Sequence, residues 1–171
     1  PMVETAKLIK QTDPNSYVVF IGPCTSKKHE FTLEKTGGVV DSVITFEELA
    51  GMFEAKGIDL EAIEAADEMQ DATGAGRGYG VAGGVASAIE QCIREYYPDV
   101  EVNIEHAESL AECKKMLLLA KAGKKNGCLI EGMACPGGCI AGAGTNIAIP
   151  QAVKEVNAFK KSAAQEIPEL K

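Results

Sequence analysis

Several features that would place a protein in a particular class are missing from this 171-residue sequence. No apolar run approaches the roughly 20 residues that a membrane-spanning helix needs. We expect no signal peptide, and the start at Pro1-Met2-Val3 leads us to expect a fragment of a longer protein. Acidic residues outnumber basic ones, so the net charge is −8. This balance argues against nucleic acid or an anionic membrane as the main partner, and a cytoplasmic location is expected.

Motifs for zinc and for nucleotides are also missing. The chain contains no C-x-x-C, and its two histidines, His29 and His106, lie far apart, which disfavours a zinc ribbon. The glycine-rich TGAGRGYGVAGG (73–84) follows an acidic segment rather than a strand, and it lacks the lysine of a Walker loop. A mobile or closely packed backbone loop is therefore favoured there. A cysteine–histidine nucleophile using Cys24 or Cys135 finds no orienting acid and ranks low.

What is present indicates one α/β domain over residues 1–171. The composition, 46% hydrophobic and 25% charged, is typical of a globular chain. Strand-like runs alternate with helical patterns, which is typical of parallel sheets. We predict one lobe with a four-stranded, mainly parallel sheet flanked by helices. The strands are expected at 17–21, 39–44, 100–104 and 128–131.

Local signals make further predictions. Leu8 and Ile9 should be the apolar contacts of a first helix, and the run at 17–21 should be covered on both faces. Thr45 and Glu48 form a capping-box pattern that starts a helix, and Gly57 should end it. The acidic, alanine-rich segment 58–72 predicts a helical turn or two on the surface.

Three of the six cysteines are expected to be packing residues. Cys92 and Cys113 lie on apolar stripes of helical periodicity, the second together with Leu110 and Leu117. Cys128 lies within the strand-like GCLIEGM. These three are therefore poor candidates for chemistry.

The other cysteines, Cys24, Cys135 and Cys139, follow predicted strands. The carboxyl ends of parallel strands share one edge of a sheet, so these thiols can converge. The glycines of CPGGC (135–139) allow close backbone approach and free N–H groups for sulfur. Converging thiolates suit an iron–sulfur cluster better than a single ion. A cubane takes four thiolates, so either the fourth lies outside this chain or there is no cluster.

The sequence resembles the [FeFe]-hydrogenases at two motifs. CTSKKHE (24–30) resembles their C-x-x-K-x-x-E motif, and EGMACPGGCIAGAG (131–144) resembles their E-x-M-x-C-x-x-G-C motif. The intervening SVITFEELAGMFEAKGID and GVAGGVASAI are also similar to the family. The resemblance covers nearly the whole chain but only the C-terminal half of the family's catalytic domain. A T-S-C-C-P segment with a further cluster cysteine would lie upstream.

The resemblance implies a role for each matched residue. Cys139 would bind the cubane and also bridge to the diiron subcluster of the H-cluster. Lys27 would donate to a cyanide of the diiron unit, Glu30 would be the closing acid of the motif, and Met133 would contact the diiron site. Glu131 belongs to the second motif, but it could also be an acidic residue at the end of a strand with no functional role. The implied ligands of the [4Fe-4S] cubane are Cys24, Cys135 and Cys139.

The chain departs from the family pattern at four positions. Gly22 stands where the family usually has methionine, and Ala82 and Ser87 replace a usual threonine and glutamate. Ala143 interrupts a run that is normally glycine. A changed environment around a metal alters its potential and reactivity, so these departures point to a divergent, hydrogen-sensing branch.

The expected parent protein is an enzyme or a sensor of the reaction 2H⁺ + 2e⁻ ⇌ H₂. Its electrons would come from a ferredoxin-like carrier or from iron–sulfur domains in the same chain, and it would need the N-terminal remainder of the catalytic domain. The isolated chain is expected to be inactive and to hold no complete cluster. Two alternatives stay open: a hydrogenase-like iron–sulfur assembly or carrier protein without a diiron site, and a non-catalytic interaction lobe.

Overall fold

A computed structural model describes residues 1–64 and 72–169. These residues form two compact units, one of 1–64 with Gly142–Asn146 and one of 72–141 with 147–169. The helical turn expected in 58–72 falls partly on residues 65–71, which lie outside the described residues. Its described part contains a single turn, in which the Ala62 N–H donates to the Asp59 carbonyl at 3.2 Å.

The first unit combines short helices with one pair of parallel strands. The strands β1 and β2 pair with Val19 opposite Ser42 and Ile21 opposite Ile44. A 3₁₀ turn precedes β2 at Glu34–Thr36. The elements in chain order are α1 (Met2–Thr12), β1 (Val19–Ile21), α2 (Lys27–Glu30), β2 (Ser42–Ile44) and α3 (Phe46–Ala55).

The core of this unit differs from the expected one. Met2 and Ala6 are the buried residues of α1, where they share one face at i and i+4, and they pack with Val40 and Val43. Leu8 and Ile9 are 63% and 42% exposed, so the prediction that they form the helix contacts was wrong. An apolar residue in a short helix does not reveal which stripe the rest of the chain covers.

β1 is also less covered than expected. Its first and last residues, Val19 and Ile21, are 42% and 44% exposed, and Phe20 between them packs against the core. The prediction of a strand covered on both faces was wrong for this unit. Its sheet has only two strands, and the core lies on one side of β1.

The start and end of α3 agree with the sequence. The Thr45 Oγ1 accepts from the Glu48 N–H at 3.1 Å, and the Glu48 carboxylate accepts from the Thr45 N–H at 2.8 Å. These two bonds complete the predicted capping box. Gly57 follows the C-cap with φ +66°, a left-handed conformation that glycine adopts at little cost.

The second unit is built on a longer parallel pair. β3 and β4 pair with Asn103 opposite Cys128, His106 opposite Glu131 and Glu108 opposite Met133. The Arg77 guanidinium lies 4.3 Å from the centre of the Phe159 ring and ties α4 to α7. The elements are α4 (Gly74–Arg77), α5 (Gly84–Tyr96), β3 (Asn103–Glu108), α6 (Leu110–Lys121), β4 (Cys128–Met133) and α7 (Ile149–Lys161).

The α/β class is confirmed, and both strand pairs are parallel. The sheet organisation differs, because the strands of the described chain form two two-stranded sheets rather than one four-stranded sheet. Hydrophobic runs identify strands but do not say which strands pair. No helix in residues 1–64 and 72–169 has the length and apolar character needed to cross a membrane.

The three cysteines expected to be packing residues are all half-buried. The Cys113 thiol lies 3.6 Å from the Ala107 carbonyl, against the β3 strand. Its expected stripe partners Leu110 and Leu117 are 74% and 68% exposed, so that part of the prediction was wrong. Helical periodicity on α6 marks a common face, and in this unit that face is largely uncovered.

Candidate functional site

Cys24 follows the carboxyl end of β1, as predicted. The Gly22 N–H still donates to Ile44 of β2 at 3.1 Å, and the Pro23 carbonyl accepts from the Gly144 N–H at 2.9 Å. These bonds fix the backbone immediately before Cys24, whose side chain is half-buried. The thiol is thus held at the end of an anchored strand.

Lys27 and Glu30 form an ion pair within the single turn of α2. Both side chains are only partly exposed, at 26% and 35%. Lys28 serves a different element, because its ammonium donates to the Glu48 carboxylate at 2.8 Å and to the Val43 carbonyl at 3.2 Å. The hydrogen bond from Lys28, with that from the Thr45 N–H, lowers the pKa of Glu48. Neighbouring lysines therefore have separate roles, and Lys27 is the one paired with Glu30.

Cys135 and Cys139 lie in one tight loop after β4. Between them Gly137 and Gly138 adopt φ +94° and +93°, where side chains are strongly disfavoured. The Gly138 N–H donates to the Cys135 carbonyl at 2.9 Å, and a 3₁₀ turn begins at Cys139. The Cys135 side chain is half-buried and that of Cys139 is exposed. Both thiols are thus presented by one ordered backbone turn.

Met133 is the last residue of β4 and is half-buried. Its carbonyl accepts from the Ser109 N–H at 2.9 Å, just before α6. It therefore stands at the same strand end as the cysteine loop.

The glycine-rich segment packs directly against the cysteine loop. The Ala82 N–H donates to the Gly137 carbonyl at 3.1 Å. A Cβ on Gly138 would lie 2.7 Å from the Gly80 carbonyl oxygen and would also collide with the Ala82 nitrogen. The predicted closely packed backbone loop is confirmed, and its neighbour is the CPGGC turn.

Two of the departures from the family pattern lie in one pocket of this unit. Ala82 and Ser87 line a pocket of about 260 Å³, together with His106 and Lys160. Both positions carry small side chains at the wall of this pocket.

Glu131 is the acid whose role the sequence left undecided. It lies within β4 rather than at its end, and its side chain is only 8% exposed. Its two oxygens accept backbone N–H groups from Gly83, Val85 and Ala86 at 2.6, 3.0 and 3.0 Å. The signal that could have identified it is a carboxylate inside an apolar strand, since such a group requires donors.

The donor chemistry of these residues fits an iron–sulfur cluster. Thiolates are the ligands that such clusters take. The prediction that the glycines leave N–H groups free for sulfur was wrong for Gly137 and Gly138, whose N–H groups donate to the Glu108 carboxylate and to the Cys135 carbonyl. Cys24 belongs to the first unit and the two cysteines of CPGGC to the second. Among the described residues, no three histidine, cysteine, aspartate or glutamate side chains are grouped to hold a metal ion.

Comparison with known proteins identifies the family. Residues 1–143 match the model described as iron only hydrogenase large subunit, C-terminal domain. The chain belongs to this family. The iron hydrogenase 1 of Clostridium pasteurianum is 29% identical over 91% of this chain and 33% of its own length. The periplasmic [Fe] hydrogenase large subunit of Nitratidesulfovibrio vulgaris is 29% identical over 81% of this chain and 41% of its own length. The chain thus spans less than half of these curated relatives.

Solved structures of [FeFe]-hydrogenases have the same fold. One, from a study of oxygen inactivation and degradation of the H cluster 2Fe subcluster, superposes with a TM-score of 0.57 at 19% identity. A variant of the enzyme from Chlamydomonas reinhardtii superposes with a TM-score of 0.52 at 21% identity. Each comparison covers 99% of this chain and 59% of the other. The iron hydrogenase assignment therefore agrees in sequence and in fold.

Proposed function

We propose that this chain is the C-terminal part of an iron hydrogenase catalytic domain. In the longer protein it catalyses or senses the reaction 2H⁺ + 2e⁻ ⇌ H₂ at an H-cluster. The observation that carries this proposal is the CPGGC turn, with its left-handed glycines, inside the segment that matches the family. The H-cluster, when bound, supplies the redox chemistry.

The cysteines of the chain are proposed to hold the cluster. Cys24, Cys135 and Cys139 would supply three thiolates. A [4Fe-4S] cubane takes four, so the fourth would come from the N-terminal remainder of the catalytic domain. Cys139, the exposed member, would also bridge to the diiron subcluster. The isolated chain is accordingly proposed to be inactive and without a complete cluster.

Lys27, Glu30 and Met133 are proposed to contact the reacting group. An ammonium has three N–H donors and the Glu30 carboxylate engages it on one side, so donors remain for an anionic ligand such as cyanide. Glu30 would keep the Lys27 ammonium oriented in a partly exposed site. Met133 would add an apolar thioether at the end of β4.

Sensing rather than rapid turnover is supported by the residues that differ from the family pattern. Gly22 brings no thioether, and Ala82 and Ser87 carry small side chains at the wall of a pocket in the second unit. A ferredoxin-like carrier or in-chain iron–sulfur domains would supply electrons. A location in the cytoplasm remains part of the proposal, although one relative is named periplasmic.

The test uses the longer protein, matured anaerobically, and hydrogen–deuterium exchange from H₂. Wild type is expected to catalyse the exchange, and Lys27→Ala is expected to lose at least about tenfold because a donor to the charged ligand is gone. Lys28→Ala is the matched control, since that ammonium is committed to Glu48 and Val43. Equal losses in the two variants would contradict the role of Lys27. No exchange by a fully loaded wild type would contradict the proposed function.

A further inference from the structure

The Glu131 carboxylate caps the start of α5 from the neighbouring strand. One oxygen accepts from the Gly83 N–H at 2.6 Å, and the other accepts from Val85 and Ala86 at 3.0 Å each. The His106 Nδ1 lies 3.4 Å from the first oxygen. The first N–H groups of a helix have no acceptor within the helix. Here one side chain supplies acceptors to three backbone groups at once.

This arrangement also explains why an acid tolerates burial in β4. A carboxylate with 8% exposure would be strongly unfavourable without donors. The positive end of the α5 dipole and three N–H groups compensate for the lost water. Loss of the carboxylate oxygens therefore leaves the N–H groups without this acceptor, and the segment 81–84 loses its hydrogen bond to β4.

The same segment holds the cysteine loop. The Ala82 N–H donates to the Gly137 carbonyl at 3.1 Å. On the other side of that residue, the Glu108 carboxylate accepts from the Gly137 N–H at 2.7 Å. Gly137 is thus held through both of its backbone groups, and it lies between the two cysteines of CPGGC.

Packing reinforces these hydrogen bonds. A Cβ on Gly84 would lie 2.9 Å from the Gly78 carbonyl carbon, so 78–84 folds tightly on itself. Gly138 packs equally closely against the backbone of 80–82. A displacement of 81–84 would therefore be transmitted to Gly138 by contact as well as through Ala82.

We propose that Glu131 is a positioning residue for the CPGGC turn. Its carboxylate fixes 81–84, and this segment fixes Gly137 and the spacing between Cys135 and Cys139. The meaning of this spacing for a cluster rests on the proposed function. The positioning itself is a property of the protein and is measurable without any metal.

Amide hydrogen exchange on the wild-type 171-residue chain gives the first test. The N–H groups of Gly83, Val85 and Ala86 are expected to exchange at least about tenfold more slowly than in an unstructured peptide. Without the Glu131 carboxylate these groups lack an acceptor within α5. Exchange at the unstructured rate would overturn the proposal, whatever the behaviour of any variant.

Substitution gives the second test, with thiol alkylation as the readout. Glu131→Gln turns one acceptor oxygen into an N–H donor, so the amides that face this atom lose their acceptor and should exchange about tenfold faster. Alkylation of the half-buried Cys135 is expected to accelerate by a similar factor. Cys128 is half-buried at the start of β4, the strand that contains Glu131. It is the internal reference and should keep its alkylation rate.

Two further variants separate positioning from general stability. Glu131→Asp keeps the charge near α5 but is shorter by one methylene, so an intermediate effect on Cys135 is expected. Glu105→Gln makes the same charge change on β3, where the carboxylate pairs with Lys125, and should leave Cys135 and the three amides unchanged.

The outcomes are distinct. Acceleration of Cys135 with Cys128 unchanged supports the positioning role. Equal acceleration of both thiols, or none, overturns it, as does a Glu105→Gln effect as large as that of Glu131→Gln. If Glu131→Gln does not fold, the wild-type exchange and the Glu131→Asp comparison decide. Failure of the longer protein to bind a cluster would contradict the proposed function but would not change the interpretation of these measurements.

Discussion

At the scale of single residues, the Phe20 ring limits the space beside Gly22. A Cβ at Gly22 would lie 2.8 Å from the Phe20 Cε1, closer than real Cβ contacts allow. Gly22→Ala is therefore expected to lower the free energy of unfolding by about 1–3 kcal/mol through overpacking. Urea denaturation measures this change.

A double-mutant cycle and a matched glycine make this prediction specific. In a Phe20→Leu background the ring is gone, so Gly22→Ala should cost less than in wild type. Gly51→Ala within α3 meets no atom within 4 Å and should be neutral or stabilising by up to about 1 kcal/mol. An identical cost of Gly22→Ala in both backgrounds would contradict the contact.

Asp41 makes stability depend on pH. The hydrogen bond from the Lys10 ammonium at 2.9 Å, with that from the Val18 N–H at 2.7 Å, lowers the pKa of Asp41 below its ordinary 3.8. A carboxylate with a lowered folded pKa stabilises the protein above its unfolded pKa, and this contribution is lost as pH falls through the folded pKa. Acid should therefore destabilise the chain below pH 3.8.

Asp41→Asn tests this directly. The variant should be less stable than wild type near neutral pH, and the difference should shrink as pH falls below 3.8. Glu4→Gln, which changes the same charge in an exposed pair with Lys7, is the control and should show little difference. A difference between Asp41→Asn and wild type that stays constant from neutral to acidic pH would rule out this linkage.

At the scale of elements, the N-cap of α3 is where sequence and structure agree most closely. Thr45→Ala removes the acceptor of the Glu48 N–H and should lower the free energy of unfolding by about 1 kcal/mol. Thr45→Ser keeps the oxygen and should lose only a fraction of this. Thermal or urea unfolding of the two variants checks the order, and equal losses would show that the hydroxyl does not cap the helix.

The ends of α3 were predictable because their signals are local, whereas the strands predicted at 39–44 and 100–104 are found at Ser42–Ile44 and Asn103–Glu108. Thr45, Glu48 and Gly57 act within one or two turns of chain, so their pattern identifies the ends of α3. The covering of an element depends on distant residues instead. Leu110 and Leu117 have helical spacing and are nevertheless exposed, since spacing says nothing about what packs on the face.

Only part of the candidate site was predictable from the sequence. The positions of Cys24 and CPGGC after strands followed from local runs and from the resemblance to the family. The role of Glu131 did not, because its donors Gly83, Val85 and Ala86 lie more than 40 residues away along the chain. A buried acid with backbone donors is recognisable only when the two segments are seen together.

At the scale of the whole molecule, the chain was expected to form one domain, and its described residues form two compact units. Gly142–Asn146 belongs to the first unit although it follows the cysteine loop of the second. There the Gly144 carbonyl accepts from the Glu47 N–H at 3.2 Å, and a Cβ on Gly144 would lie 2.5 Å from the Thr45 Cβ. Ala143 beside it is exposed, so the alanine that interrupts the expected glycine run has room.

The central claim is that this chain supplies cluster thiolates to an iron hydrogenase. The most direct measurement is the iron content and electron paramagnetic resonance of the longer protein, loaded anaerobically with iron and sulfide and then reduced by one electron per cluster with dithionite. Wild type should hold a [4Fe-4S] cluster. The Cys135→Ser and Cys139→Ser variants should each lose most of the bound iron and most of the resonance signal. Cys128→Ser, the matched control in β4, should load as wild type does. Full iron and an unchanged signal in Cys135→Ser and Cys139→Ser would contradict the account.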